Sequence, residues 1–256
     1  MTKRLAGKIA MITGGASGLG ESQARRFAHE GAQVVVCDVN EAKGMAVAQD
    51  IGAQFLLLDV RSESAFRAAI EATVSQWGRF DILVNNAGVA RVGTPETIEE
   101  ADYRLVMSVC VDGTVFGCKH AIPAMVASGG GAIVNIASIA SMRGIPYAAG
   151  YSAAKGAVEA YTRSVAAHCK LNNLNVRCNS VHPGGFATPM LGKTIEDLRK
   201  NANSTGQLQN RAANMLGDPV EVANLVLFLA SDEAKWINGQ RFVIDNGDTI
   251  AVPSGK

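Results

Sequence analysis

Tyr151 and Lys155 are the residue pair best suited to proton transfer, four positions apart in the run YSAAK. In a helix, residues at this spacing lie on the same face. A tyrosine is a poor base at neutral pH because its unperturbed pKa is about 10, but a nearby ammonium group favours the phenolate. Such a pair alone is typical of an exposed helix surface. Ser138, which directly follows a predicted strand 13 residues upstream, and the motifs described next favour an acid–base centre.

A glycine cluster, Thr13-Gly14-x3-Gly18-x-Gly20, lies between a predicted strand and a predicted helix. Glycines permit a tight turn and a close approach to a pyrophosphate, which the start of the helix can bind through free N–H groups and its dipole. No Gly-Lys-Ser/Thr follows, so a kinase-type phosphate loop is excluded. The cluster also fits an ordinary turn, but its context predicts a dinucleotide site.

That context is Asp38, which ends the next predicted strand, 18 residues after Gly20. A carboxylate there can bind both hydroxyls of the adenosine ribose and repels a 2′-phosphate. No Arg or Lys stands beside it, since Val39 follows and the glycine loop carries Ala16 and Ser17. The sequence therefore favours NAD over NADP. The alternative is a solvated acid at the end of a strand.

The elements that must position these residues alternate between strands and helices. The strand-like runs are continuous rather than alternating in polarity, as expected where both faces of a sheet are covered. Repeated strand–helix alternation predicts one doubly wound, Rossmann-type α/β domain over residues 1–256, with about seven parallel strands and helices on both faces. The predicted strands are Lys8–Thr13, Gln33–Asp38, Gln54–Asp59, Asp81–Asn85, Ala132–Ala137, Asn175–Val181 and Arg241–Asp245.

The pattern changes after Val181, where residues 183–217 form a long connection rich in Pro, Gly and polar residues. A connection of this length inside a compact domain is usually functional, so we expect a substrate lid here. Phe186, Met190 and Leu191 give it apolar surface, either for a hydrophobic substrate or for packing on the domain itself. Asp218 and Pro219 then predict the start of a final helix.

Composition excludes several classes of protein. The chain has 256 residues with 48% apolar and 18% charged, and its net charge of +1 provides no basic footprint for nucleic acid or an anionic membrane. No apolar run approaches a membrane span, and the N-terminal residues lack a signal-peptide core. The five cysteines and four histidines are scattered, so no metal site is predicted. We expect a cytoplasmic protein with reduced cysteines.

Taken in order, these motifs resemble the short-chain dehydrogenase/reductase family. The resemblance covers nearly the whole chain through TGGASGLG, Asp38, Leu58-Asp59-Val60, NNAG, Ser138, YSAAK, His182-Pro183-Gly184 and the final helix. It implies that Ser138 hydrogen-bonds the substrate oxygen, that Tyr151 is the general acid/base, and that Lys155 binds the nicotinamide ribose and lowers the pKa of Tyr151. The cofactor-binding residues that it implies are Gly14, Ser17, Gly18, Leu19, Gly20, Asp38, Asp59, Val60, Asn86, Gly88, Tyr151, Lys155, Pro183, Gly184 and Thr188.

One residue departs from the family pattern. Where the family typically has an asparagine that helps to hold a proton-relay water, this chain has Cys110. A thiol is a weak hydrogen-bond partner, so the relay is expected to be slower or rerouted. Cys110 is therefore interpreted as a packed helix residue and not as a catalytic one.

Within the family, GYSAAKGAVEAYTRSVA, SVHPGGFATPM and LVLFLASDE look most like bacterial hydroxysteroid and other secondary-alcohol dehydrogenases. This implies NAD-dependent interconversion of a bulky hydrophobic secondary alcohol and its ketone. Two alternatives remain, a 3-oxoacyl-carrier reductase and a non-catalytic NAD(H)-binding module. The family also implies a homotetramer built through its two long middle helices, here Ala101–Ala127 and Ser152–Lys170.

Overall fold

The structure, a computed structural model, describes residues 3–200 and 216–251. Seven parallel strands form one sheet in the order β3-β2-β1-β4-β5-β6-β7. This is the single-domain doubly wound fold that the sequence predicts. The strands are β1 Ile9–Thr13, β2 Gln33–Asp38, β3 Gln54–Leu57, β4 Ile82–Asn85, β5 Gly131–Ile136, β6 Val176–Pro183 and β7 Arg241–Ile244.

Helices cover both faces of the sheet. Asn40 and Ser62 cap α2 and α3 through side-chain hydrogen bonds to the nitrogens of Lys43 and Ala65. The α-helices are α1 Gly18–His29, α2 Glu41–Ile51, α3 Glu63–Trp77, α4 Glu100–Met107, α5 Gly113–Ala127, α6 Ala149–Leu171, α7 Pro189–Lys200 and α8 Pro219–Ala230.

The core lies in two layers, one on each face of the sheet. Successive strand residues point to opposite faces, so Ile12 joins the layer covered by α1, α2 and α8, whereas Met11 joins the layer covered by α3, α5 and α6. Both side chains are fully buried. Because each layer needs apolar residues, the central strands show no polar alternation, as the sequence analysis assumed.

The strand order changes direction between the adjacent strands β1 and β4. From β1 the sheet continues through β2 to β3 at one edge, and from β4 it continues through β5 and β6 to β7 at the other. In sheets of this type, the ligand crevice lies at such a switch point, beyond the carboxyl ends of the strands. Thr13 ends β1 and Asn85 ends β4, so the glycine loop and the NNAG motif meet at this crevice.

A π-helical turn, Ser108–Asp112, joins α4 to α5 and makes one long helix of Glu100–Ala127. Its length and hydropathy would suffice for a membrane span. The sequence analysis found no apolar run of this length because Asp112 and Lys119 interrupt it. The helix buries Cys110, Thr114 and Cys118 in the domain, as a core helix of an α/β protein does.

The predicted lid, residues 183–217, contains a helix that the sequence analysis did not predict. Helix α7 starts at Pro189, where Thr188 accepts a hydrogen bond from the nitrogen of Leu191. The segment TIEDLRK is largely polar and was interpreted as loop. Residues 201–215 of the predicted lid lie outside the described residues. Asp218 caps α8 and Pro219 occupies its first turn, as predicted.

All five cysteines are free and buried. Burial raises the pKa of the Cys37 and Cys178 thiols far above the ordinary value. Cys118, Cys169 and Cys178 share the core layer under α5 and α6. Within the described residues, no group of three or more His, Cys, Asp or Glu side chains is arranged to hold a metal ion.

Candidate active site

The glycine loop leaves β1 in a conformation that only glycine adopts easily. Gly14 and Gly18 have φ angles of +65° and +57°, in the left-handed region. Gly20 lies so close to the turn that a Cβ there would overlap the carbonyl oxygen of Gly14 and the side-chain amide of Asn86. The loop therefore brings bare backbone to the N-terminus of α1, which is a cradle suited to a pyrophosphate.

The loop is fastened to the end of β4 across the switch point. The Asn86 side chain donates to the carbonyl oxygens of Thr13 and Gly14 at 2.9 and 3.2 Å. The Thr13 hydroxyl accepts from the nitrogens of Asn86 and Ala87 at 3.1 and 3.0 Å. Asn86 thus shapes the predicted cofactor cleft by holding the loop.

Asp38 lies at the end of β2 beside this loop. Its carboxylate oxygens accept hydrogen bonds from the nitrogens of Ala16, at 3.0 Å, and Asn40, at 2.9 Å. Each carboxylate oxygen keeps a further lone pair, which can accept from a ribose hydroxyl. The neighbouring Val39 is exposed and uncharged, so it offers nothing to a 2′-phosphate.

The remaining residues predicted for the adenosine half lie around the same crevice. Ser17 precedes α1 and its hydroxyl does not cap the helix, whereas Leu19 packs against the core. Asp59 follows the end of β3 and is engaged by Arg61, whose hydrogen bonds lower the pKa of the Asp59 carboxyl. Val60 is buried close to Gly113.

The structure brings the predicted catalytic residues together. Ser138 follows β5, and Tyr151 and Lys155 lie in the first turns of α6. The Lys155 ammonium nitrogen donates to the carbonyl oxygen of Ile136 at 2.7 Å and lies 5.5 Å from the centre of the Tyr151 ring. Lys155 is only 3% exposed, so its charge acts on Tyr151 with little screening by water.

Lys155 acts to lower the pKa of Tyr151, as the resemblance implies, but the net shift of the Tyr151 pKa is upward. Burial is the largest effect and raises the pKa above 10, as does Cys110 to a lesser extent. Lys155 and a hydrogen bond with Ser138 act to lower it but do not outweigh burial. Because burial penalises the charged phenolate, the neutral phenol is the favoured form of Tyr151 in this packing.

Cys110 lies in the π-helical turn beside Gly88. Its thiol points to the carbonyl oxygen of Val89 at 3.7 Å, a weak contact, and its own carbonyl oxygen accepts from the Thr114 hydroxyl at 2.7 Å. A methyl group on Gly88 would touch both Lys155 Nζ and Cys110 Sγ, at 3.5 and 3.6 Å. Cys110 therefore packs against the lysine end of the site.

The residues predicted for the nicotinamide end follow β6. Pro183 ends the strand, and the nitrogen of Gly184 donates to the carbonyl oxygen of Ile244 at 2.9 Å. Thr188 stands at the start of α7, opposite the glycine loop, so a Cβ on Gly18 would lie 3.3 Å from its side chain. The lid thus starts directly across the crevice from the predicted pyrophosphate cradle.

Sequence reasoning missed three polar residues behind Ser138, namely Ser141, Glu159 and His182. The sequence analysis cited His182 only as part of the His182-Pro183-Gly184 motif, and it gave none of the three a role because they meet only through the packing of α6 against β5 and β6. The cleft itself fits a nicotinamide dinucleotide, since it combines a bare backbone cradle with a carboxylate that has free lone pairs.

Comparison with known proteins identifies the family. A family model described as enoyl-(acyl carrier protein) reductase matches residues 14–249. The chain belongs to the short-chain dehydrogenase/reductase family. Its membership explains why the glycine loop, the NNAG motif and the Ser138, Tyr151 and Lys155 group occur in one crevice, and it makes the protein an alcohol dehydrogenase by class.

Three curated members of the short-chain dehydrogenase/reductase family illustrate the similarity. A 3-alpha-(or 20-beta)-hydroxysteroid dehydrogenase of Mycobacterium tuberculosis is 38% identical, over 98% of this chain and 92% of its own. A 3-beta-hydroxysteroid dehydrogenase of Comamonas testosteroni is 38% identical, over 96% and 97%. A 2,5-dichloro-2,5-cyclohexadiene-1,4-diol dehydrogenase of Sphingobium indicum is 40% identical, over 98% and 100%.

Proposed function

We propose that this protein is an NAD-dependent dehydrogenase of a bulky, ring-containing secondary alcohol, which it interconverts with the ketone. The observation that carries the proposal is the buried arrangement of Lys155 and Tyr151 next to Ser138 at the mouth of a dinucleotide crevice. The relatives support the substrate class, because all three are named as dehydrogenases of hydroxysteroids or of a cyclohexadiene diol, which are ring-containing alcohols. Asp38 supports NAD.

The proposed mechanism uses three side chains of this chain. Ser138 donates its hydroxyl proton to the substrate oxygen, because its oxygen already accepts from the nitrogen of Ala140 at 3.1 Å. Tyr151, as phenolate, takes the alcohol proton, and in the reverse direction it returns this proton to the ketone oxygen. Lys155 stabilises the phenolate. When bound, the oxidised nicotinamide supplies the hydride acceptor and a positive charge near Tyr151.

The lid residues divide in their roles. Phe186 is buried against Gly217, with which it forms an isolated β-bridge, so it packs the base of the lid on the domain. Met190, at 39% exposure, stays available at the start of α7. We infer that Met190 and Leu191 form the apolar surface that contacts the substrate. Phe186, which the sequence analysis grouped with them, packs on the domain instead.

The assembly that we propose is a cytoplasmic homotetramer. A closed tetramer of two-fold symmetry needs two different self-complementary surfaces on each chain. One surface is the shallow groove on α4 and the π-helical turn, which includes the exposed Tyr103 and the partly buried Met107. The other is the edge of β7, beside which Trp236 and Ile250 are 95% and 85% exposed.

The decisive experiment is a set of initial rates with purified protein, NAD or NADP, and a panel of substrates. The panel contains steroidal, cyclohexyl and short aliphatic secondary alcohols, and 3-oxoacyl thioesters with the reduced cofactors. Turnover with NAD that favours the ring alcohols supports the proposal. A preference for NADPH and 3-oxoacyl thioesters would support the carrier-linked reductase, an activity related to the one for which the family model is named. NADH binding without any turnover would support a binding module.

A further inference from the structure

A buried polar network lies behind Ser138 and is separate from the hydroxyl that faces the substrate. The carbonyl oxygen of Ser138 accepts from the Ser141 hydroxyl at 2.8 Å, and the Nδ1 atom of His182 lies 3.2 Å from the same oxygen. His182 Nδ1 also contacts the Ser141 hydroxyl at 2.9 Å, while its Nε2 contacts the Ser180 hydroxyl at 2.8 Å. His182 is fully buried at the end of β6.

The partners of His182 determine its tautomer. The Ser141 hydroxyl gives its proton to the Ser138 carbonyl oxygen, so Nδ1 carries the ring proton and shares it between the Ser141 oxygen and the Ser138 carbonyl oxygen. Nε2 then accepts the proton of the Ser180 hydroxyl. Burial lowers the pKa of His182 to about 4, so the imidazole is neutral at neutral pH and makes one donated and one accepted hydrogen bond.

Glu159 anchors the network from α6. Burial opposes its ionisation, but the neighbouring Ser141 side chain, the hydrogen bond from Arg163 and the nearby charges lower the pKa of its carboxyl overall. The carboxylate pairs with Arg163 at 2.9 Å and with Arg241 of β7 at 3.1 Å. The network therefore links the residue that follows β5 to α6, β6 and β7.

The consequence for Ser138 is geometric. Its hydroxyl oxygen is held by the nitrogen of Ala140, and its carbonyl is held by Ser141 and His182. With the peptide plane and the side-chain rotamer both held, the Ser138 hydroxyl stays beside Tyr151, where its proton can reach the tyrosine oxygen or a substrate oxygen. A misplacement of a reacting group by about 1 Å can cost on the order of 100-fold in rate.

We propose that His182 and Ser141 are positioning residues for catalysis, which hold the backbone of Ser138 so that its hydroxyl proton meets the substrate oxygen. This inference rests on the proposed function, since it assigns the support of that active site. It places His182 outside the reacting atoms, where it acts only through Ser138.

The test uses His182→Leu, which removes both ring nitrogens, and His182→Asn, whose amide retains one donor near the Nδ1 position. Each is made in the natural sequence and in a Ser138→Ala background. We expect His182→Leu to lower kcat at least about tenfold with the Kd for NADH within about twofold, and His182→Asn to recover most of the loss. Ser141→Ala, which leaves the buried ring in place, is expected to lower kcat in the same direction.

The Ser138→Ala background separates positioning from a merely structural role. If His182 acts through the Ser138 hydroxyl, His182→Leu lowers the residual kcat less than about twofold once that hydroxyl is gone. Equal losses in both backgrounds, or a parallel loss of NADH affinity, would overturn the proposal. The exposed His168, on the same side of the sheet in α6, provides the control His168→Leu, which is expected to leave kcat unchanged.

Failure of this inference is distinguishable from failure of the proposed function. If Ser138→Ala loses turnover while His182→Leu and Ser141→Ala both retain it, the positioning role is wrong and the active site stands. If the natural protein shows no turnover of ring alcohols with NAD, or if Ser138→Ala retains full turnover, the proposed function is wrong and the positioning role falls with it.

Discussion

Opposed electrostatic effects act on the pKa of Tyr151, the proposed general acid/base. Burial favours the neutral phenol, while Lys155 and Ser138 favour the phenolate. Burial outweighs these two groups, so the pKa of Tyr151 lies above its ordinary value of 10.

Tyr151→Phe tests this role directly. Removal of the acid/base is expected to lower kcat by about 10²- to 10⁴-fold, with NADH affinity within a few-fold, because the ring and its packing remain. Tyr161→Phe in the same helix is the matched control, since Tyr161 lies in the core layer under α5 and α6. Steady-state rates and fluorescence titration measure the two quantities, and retained turnover of Tyr151→Phe would refute the assignment.

Asp38→Asn tests the choice of cofactor. The amide oxygen can still accept from the nitrogen of Ala16, but the charge that repels a 2′-phosphate is gone. We expect kcat/KM with NADP to rise relative to NAD by about one order of magnitude or more. Asp50→Asn, at an exposed ion pair with Arg25, serves as the charge control. An unchanged cofactor ratio would mean that Asp38 is not the selector.

His182 makes the free energy of unfolding depend on pH. Its pKa is about 4 in the folded protein against an ordinary value of 6.5, so the unfolded chain binds the proton more tightly. The contribution of His182 to the free energy of unfolding is therefore complete above pH 6.5. It decreases below that pH and is lost as the pH falls through 4, by up to about 3 kcal/mol. The charged groups that face the ring are Glu159, Arg241 and Lys155. The pKa of the Glu159 carboxyl is lowered from 4.5, so its contribution to the free energy of unfolding is lost only below pH 4.5.

Denaturant unfolding between pH 7 and pH 4.5 measures this effect. The natural protein is expected to lose stability across the interval, and His182→Asn is expected to show a flatter profile because it removes the titrating group. Parallel profiles for the two proteins would show that other groups dominate the pH dependence.

At the scale of elements, the sequence predicts the bounds of a strand or helix well where the local pattern of apolar residues is clear. The bounds of β2 agree with the predicted strand Gln33–Asp38, because its apolar run is continuous. Strand β3 ends two residues early, at Leu57, since its edge position leaves Leu57 exposed and without a partner strand on one side. The π-helical turn Ser108–Asp112 and helix α7 were missed because neither has a distinct composition.

The candidate site shows the same division. Gly20, Asp38 and the pair Tyr151 and Lys155 lie where a strand ends or a helix starts, so short motifs identify them. His182 stands in the His182-Pro183-Gly184 motif, but the motif does not reveal its contacts with Ser138 and Ser141, which depend on how the segment after β5 packs against β6. The balance at Tyr151 also escaped prediction, since burial depends on the packed structure.

Gly20→Ala tests the junction between β1 and α1 as a unit. The added Cβ would collide with the backbone of Gly14 and with the amide of Asn86, which fastens the loop. We expect NADH affinity to fall at least about tenfold together with a lower melting temperature. Gly156→Ala in α6 is the matched control, because a Cβ there meets nothing, and the better helix propensity should stabilise the protein by about 0.5–1 kcal/mol. Equal NADH affinity of the two variants would contradict the prediction that the glycine loop binds the pyrophosphate of the cofactor.

At the scale of the whole molecule, the exposed apolar side chains include Tyr103 in the α4 groove and Trp236 and Ile250 beside the β7 edge, the two proposed interfaces. Light scattering is expected to give a mass of four chains. Tyr103→Glu places a charge in the α4 groove and should shift the protein to a smaller species, whereas Met45→Glu on α2, a comparably exposed site, should not. A monomeric mass for the natural protein would refute the tetramer, and the opposite response of the two variants would exclude this groove as an interface.

The burial of every thiol has a consequence for how the motions of the molecule can be observed. An alkylating reagent can reach a cysteine only when the surrounding layer opens, and the raised pKa of Cys37 and Cys178 further slows reaction with the closed form. The five positions report on different places, with Cys110 beside the active site, Cys37 in β2, and the other three under α5 and α6. Mass spectrometry of the rate at which each thiol is labelled would therefore rank the local openings of the fold, without any introduced probe.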